Sequence, residues 1–159
     1  MNALDILKYG HGTVCRAIEE VPATDWEIGG VCGEWSVKDI IGHLAAFELL
    51  LVDILSSLTG SADTPYLQQV LDHGFSGFND IQAAQRKNKT RQEVLDEYNA
   101  AYERVMVLAA PIPADTWRAN GALPWYGAEY SLDDFIVYTY YGHKREHSAQ
   151  IDHFRSRYH

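Results

Sequence analysis

Four separate stretches of this chain place apolar residues at alternating steps of three and four, and no stretch sustains an alternation of two. Steps of three and four keep side chains on one face of an α-helix, whereas a half-buried strand needs period two, so an all-α fold is expected. The first stretch runs from about Ala3 to Glu20, with Leu4, Leu7, His11, Val14, Ile18 and Val21 on its stripe, and Pro22 ends it. The second begins at Ser36 with Ile40, Leu44, Phe47, Leu51, Leu55 and Leu58 in line, and Thr59-Gly60-Ser61 stops it. The third follows Thr90, carries Val94, Tyr98, Ala101, Tyr102, Val105 and Ala109, and yields to Pro111 and Pro113. The fourth starts at Ser131 and reaches about Arg157, with Leu132, Ile136, Tyr140, His143, His147, Ile151 and Phe154 as its stripe.

Three of these stretches open on a hydroxyl residue followed three positions later by an acid: Ser36 with Asp39, Thr90 with Glu93, Ser131 with Asp134. That spacing lets each side chain satisfy a free backbone amide of the first turn. Residues 61–89 hold two shorter helical patterns, Leu67 to Leu71 and Asn79 to Lys87. Four amphipathic helices with one long, partly helical crossover between the second and third describe a four-helix bundle, expected to be one domain over residues 1–159.

A net charge of −9 repels nucleic acid phosphates and anionic membranes, so neither is an expected partner. The opening string MNALDILKYGHGTV has no basic stretch followed by an apolar one, so no signal peptide is expected. The most apolar stretch, Ile40 to Leu58, contains His43, Glu48 and Asp53, which argues against a membrane span. Cys15 and Cys32 make no disulfide framework and read as reduced cytoplasmic thiols.

The histidines carry the chemistry. On a regular helical wheel Ile136, His143, His147 and Phe154 fall within about 40° of each other, so both imidazoles occupy the middle of an apolar stripe. Four residues apart, they project from adjacent turns and can share an ion, while Lys144 and Arg145 are expected to point to solvent. The bland alternative is a pair of hydrogen-bonded core histidines, bonded for example to Tyr98 or Tyr102. His43 sits about 60° off its own stripe, on the flank shared with Phe47 and Leu50, and offers a third imidazole. Three histidines leave coordination positions open, as catalytic sites do, and suit a divalent metal, zinc, nickel, iron(II) or copper(II), among which spacing does not choose. His11 lies on the first stripe as a candidate cavity liner; His73 reads as a solvated loop residue and His153 as exposed, and His159 is terminal. No catalytic acid or base stands out, and no glycine-rich phosphate loop or serine elbow suggests an organic cofactor or a second mechanism.

At this point the residues resemble a known group. The run Glu34-Trp35-Ser36-Val37-Lys38-Asp39-Ile40-Ile41-Gly42-His43-Leu44 is similar to the start of the second helix in the DinB/YfiT-like superfamily. His143-Lys144-Arg145-Glu146-His147-Ser148-Ala149-Gln150-Ile151 resembles its closing His-x-x-x-His-x-x-Gln-Ile motif. Within the superfamily, Leu123-Pro124-Trp125 and Phe78-Asn79-Asp80 are similar to the ClbS/DfsB-like branch. The resemblance implies an all-α bundle, frequently a homodimer, with a divalent metal on residues matching His43, His143 and His147. It further implies a small-molecule substrate, and the activities known in the superfamily include transfer and isomerisation with a low-molecular-weight thiol such as bacillithiol or mycothiol.

The leading expectation is therefore a metal-dependent hydrolase or thiol transferase, with Phe47, Trp125, Tyr126 and Tyr140 as aromatic pocket residues beside His11. One rival is a metal-free ClbS-like hydrolase or binding protein in which Glu48 and Asp53 matter more than the histidines. Another is a dimeric binding module with a vestigial site.

Overall fold

The computed structural model describes residues 2–60 and 63–158, so Met1, Ser61 of the expected helix stop and the terminal His159 lie outside the described residues. The all-α expectation holds: among the described residues there are helices and two isolated bridges, Cys32–Trp35 and Asn120–Ser131, but no strand. The chain falls into two compact units, one formed by its first twenty residues with residues 109–159, the other by residues 21–108.

In the first unit, α1 (Ala3–Glu19) packs along α7 (Gly142–Tyr158) and along a π-helical segment, Ile136–Tyr141, that precedes it. Gly10 permits the close approach, since a methyl group there would meet the Lys144 side chain at 3.3 Å and the Tyr141 ring at 3.7 Å. Two short helices, α5 (Ala114–Arg118) and α6 (Leu132–Phe135), complete the unit. The Ser131–Asp134 pattern forms a full capping box: the Ser131 hydroxyl accepts from the Asp134 amide at 3.1 Å, and the Asp134 carboxylate accepts from the Ser131 amide at 2.9 Å.

The second unit holds α2 (Val37–Ser57), α3 (Pro65–Arg86) and all but the last residue of α4 (Arg91–Ala109). α2 is long and apolar enough to cross a membrane by composition, yet 83% of its most apolar window is buried, as befits a core helix. Its start is the second full capping box, with Ser36 and Asp39 exchanging bonds of 2.9 and 3.1 Å. Replacing Ser36 by alanine is expected to cost about 1 kcal/mol of stability, read as a lowered denaturation midpoint at constant slope. Thr90 and Glu93 exchange the same pair of bonds at the head of α4.

The crossover is more helical than the sequence pattern suggests. The two expected pieces do form, each longer than its pattern, and together make up α3 over Pro65–Arg86; they meet at a kink at Gly74, whose φ of 72° and ψ of 175° lie outside the helical region. Its first turn is capped from another helix: the Asp53 carboxylate accepts from the amides of Tyr66 at 2.6 Å and Leu67 at 3.1 Å. Its last turn is held by Arg86, buried, which meets both carboxylate oxygens of Glu97 on α4 at 2.7 and 3.2 Å.

Candidate functional site

The donor set expected from the sequence is divided between the units: His143 and His147 stand on α7, and His43 stands on α2. On α7 the four-residue spacing does what the wheel suggests. The Nε2 atoms of His143 and His147 lie 2.9 Å apart, with the rings tilted at 67°. The His147 ring is held from behind, because its Nδ1–H donates to the Gln150 side-chain oxygen at 2.8 Å. An amide oxygen only accepts, so this bond fixes the proton on Nδ1 and leaves the Nε2 lone pair aimed at His143.

Two nitrogen lone pairs at this distance need a hydrogen or a cation between them. Donors held 2.0–2.1 Å from one metal are separated by about 3.3 Å at a tetrahedral angle and about 2.9 Å at a right angle. The observed 2.9 Å thus fits two adjacent positions around one ion, and equally a single N–H···N bond. The electrostatics favour neutral rings. Burial, then the neighbouring His147 and the Lys144 ammonium, lower the His143 pKa to about 3. Burial also lowers that of His147, against the raising effects of Gln150 and Glu146. Neutral imidazole is the form that binds a metal.

Lys144 departs from its expected place. It is 2% exposed, whereas Arg145 and Glu146 face solvent. The π segment explains this: winding with i→i+5 bonds takes more residues per turn, so steps of four drift little. Ile136, Tyr140 and Lys144 consequently follow one another on the buried side. π segments are frequent at functional positions, and this one ends immediately before Gly142-His143.

On α2, His43 is 8% exposed and flanked by two rings, Trp35 at 4.8 Å and Phe47 at 4.9 Å between centroids. Trp35 is the residue just before the Ser36 cap, so the box that starts the helix also sets a ring against His43 two turns later. Phe47, expected in the pocket, is therefore in contact with this histidine.

The other expected pocket residues stand in the first unit. Trp125, Tyr126 and Tyr140 all pack on Phe135, at centroid distances of 5.5, 4.8 and 5.5 Å, in an aromatic cluster of the first unit. His11 is half-buried on α1, with its Nε2 3.4 Å from the Cys15 sulfur. Burial, helped by Lys144, lowers its pKa to about 4, and burial raises that of Cys15, which keeps the sulfur a thiol. His73 and His153 are exposed as expected, although His73 lies on α3 rather than in a loop. Glu48 is fully buried on α2. Asp53 is committed to capping α3, and burial raises its pKa despite the two amide bonds.

These shifts set a pH dependence. His143 and His11 take up protons in the unfolded chain near 6.5 but in the folded chain only near 3 and 4. Between those values the unfolded state holds more protons, so stability rises with pH through the window. Their contribution is complete above about 6.5 and is lost as the solution is acidified. Thermal melts at pH 7.5, 5.5 and 4.5 should show a progressive fall, smaller in His143→Asn; a flat profile over that range speaks against buried neutral imidazoles.

Reasoning from sequence missed Gln150 as the residue that orients His147, Trp35 as the ring on His43, and the buried Lys144. The i, i+3 spacing of His147 and Gln150 was a readable signal for the first of these.

Comparison with curated proteins found no match, and comparison with solved structures found none either. A family model does match, over residues 9–132, a span that includes His43 and ends before His143 and His147. That model is described as the mycothiol maleylpyruvate isomerase N-terminal domain, and since it covers well over half of the sequence, the chain belongs to this family of the DinB/YfiT-like helical superfamily.

Proposed function

We propose that this chain is a metal-dependent enzyme of small-molecule thiol chemistry, in which His43, His143 and His147 together hold one divalent ion, zinc or nickel first. The observation that carries the reading is the His143–His147 pair: a half-buried and a buried ring with depressed pKa values, nitrogens 2.9 Å apart, one of them fixed in the ligating tautomer by Gln150. A core histidine pair needs only a hydrogen bond, whereas tautomer control by an outer amide is the usual companion of a metal-bound imidazole.

When bound, the metal supplies a Lewis acid that lowers the pKa of a thiol or a water and so makes a nucleophile available near neutral pH. The chain's own residues do the rest. Gln150 holds the His147 proton on Nδ1. Trp35 and Phe47 fix the His43 ring and keep water from its faces. The family's name supports a low-molecular-weight thiol of the mycothiol type as co-substrate, ahead of a hydrolase using water. The reading takes residues 1–159 as one domain, acting in the cytoplasm as a homodimer.

The metal-free alternative has lost one of its two carboxylates, since Asp53 serves as a helix cap. One experiment separates the readings. Metal-loaded protein is mixed with mycothiol and an alkylating electrophile, and loss of free thiol is followed with and without prior chelation. Acceleration that disappears on chelation and returns with zinc or nickel is the expected result. Acceleration that survives chelation favours the metal-free reading, and no acceleration of thiol loss removes thiol transfer.

A further inference from the structure

Beside His43 the second unit carries a row of rings whose far end, Phe75, is exposed. Trp35 and Phe47 flank the imidazole; Phe47 is 6% exposed and stacks on Phe75, with centroids 6.0 Å apart and planes only 14° from parallel. Fully buried Phe78 supports Phe47 edge-on at 5.6 Å, so the row is anchored at its base. Phe75 itself is 37% exposed, among the few large apolar side chains of the described residues that face solvent.

Its position depends on a broken helix. Gly74, immediately before it, has the positive φ that interrupts α3, and a methyl group there would meet nothing within 4 Å. Glycine is therefore required at this point by its backbone conformation rather than by lack of space. Helical continuity is given up in the same step that turns Phe75 onto Phe47. A core needs no such arrangement, because the ring ends half in solvent instead of filling a void.

We propose that Trp35, Phe47 and Phe75 form a recognition wall beside His43 that selects substrates presenting a flat, uncharged, conjugated or aromatic face. This rests on the thiol reading above and names the class of its second substrate: the electrophile that receives the thiol carries a planar π-system. Parallel offset rings accept a further planar group in the same manner, and the preference comes from stacking geometry as well as from apolar area.

The test uses two thioether probes that share a cysteine portion, N-acetyl-S-(2-naphthylmethyl)cysteine and N-acetyl-S-methylcysteine, titrated calorimetrically into the full chain. The unsubstituted protein should bind the naphthyl probe about tenfold more tightly or better. Phe75→Leu, which keeps apolar bulk but not the ring, should lose most of that preference, and Phe75→Trp should retain it. Partial exposure of Phe75 makes both variants compatible with folding. Metal content is measured on the same samples. Loss of preference in Phe75→Leu alone supports the wall whether or not metal is present. Equal affinity for the two probes, binding of neither, or full preference retained in Phe75→Leu overturns it. Absence of metal with the ring-dependent preference intact instead counts against the metal reading alone.

Discussion

Replacement of His147 by alanine should abolish tight binding of zinc or nickel, weakening the affinity by more than about a hundredfold, because loss of a ligand must exceed the ten- to hundredfold cost of losing an outer-shell partner. The fold should survive, since α7 is held elsewhere by Ile151 and Phe154, both essentially unexposed. Gln150→Ala gives the graded counterpart. It leaves all three imidazoles in place but frees the His147 tautomer, so affinity should fall by about ten- to a hundredfold. Competition with a chromophoric chelator, with circular dichroism on the same samples, reads both effects. If Gln150→Ala binds metal as the unsubstituted protein does, Gln150 has no orienting role; if His147→Ala does so, His147 is not a ligand.

The second large effect concerns stability. Phe135 is fully buried and takes Trp125, Tyr126 and Tyr140 on its ring. Cutting it to alanine removes the common contact of three aromatic residues and leaves a cavity, at a cost of about 3–5 kcal/mol. For a chain of this length that corresponds to a fall in melting temperature of roughly 6–20 °C. Trp125 fluorescence should shift to the red as its loop loses its anchor. A change under about 1 kcal/mol would mean the cluster collapses onto the space, and that the ring is not the keystone of the loop.

The contrast between these two residues shows what the sequence made legible. Helix starts were readable because a cap is local chemistry: Ser36, Thr90 and Ser131 each find their acid three residues on, and all three bonds form. The fourth stripe was readable because burial follows a period: Leu132, Ile136, Tyr140, His147, Ile151 and Phe154 are buried, and His143 is half-buried among them. The π segment was not, since a change of hydrogen-bond register leaves no mark on the pattern of polar and apolar residues. Its consequence, the burial of Lys144, was accordingly missed. The extent of α3 was hidden for another reason. Its first turn is capped by Asp53, twelve residues before Pro65 in the chain, and its bend depends on one glycine in a polar stretch. Both are tertiary facts, beyond the reach of a local rule.

The candidate site divides along the same line. The spacing of His143 and His147 fixed their meeting in advance, and the structure adds only the distance. The environment of His43 came from contacts between residues far apart in sequence, above all Phe47 with Phe75 and Phe78 on α3.

Elemental analysis of untagged protein, combined with anomalous scattering from its crystals, bears most directly on the claim that these histidines serve a metal. Close to a single divalent ion per chain, with its anomalous peak at the Nε2 atoms of His143 and His147 and at the His43 ring, is the expected result. Protein purified from metal-replete cells with no bound ion, or with an ion ligated by other residues, would contradict it.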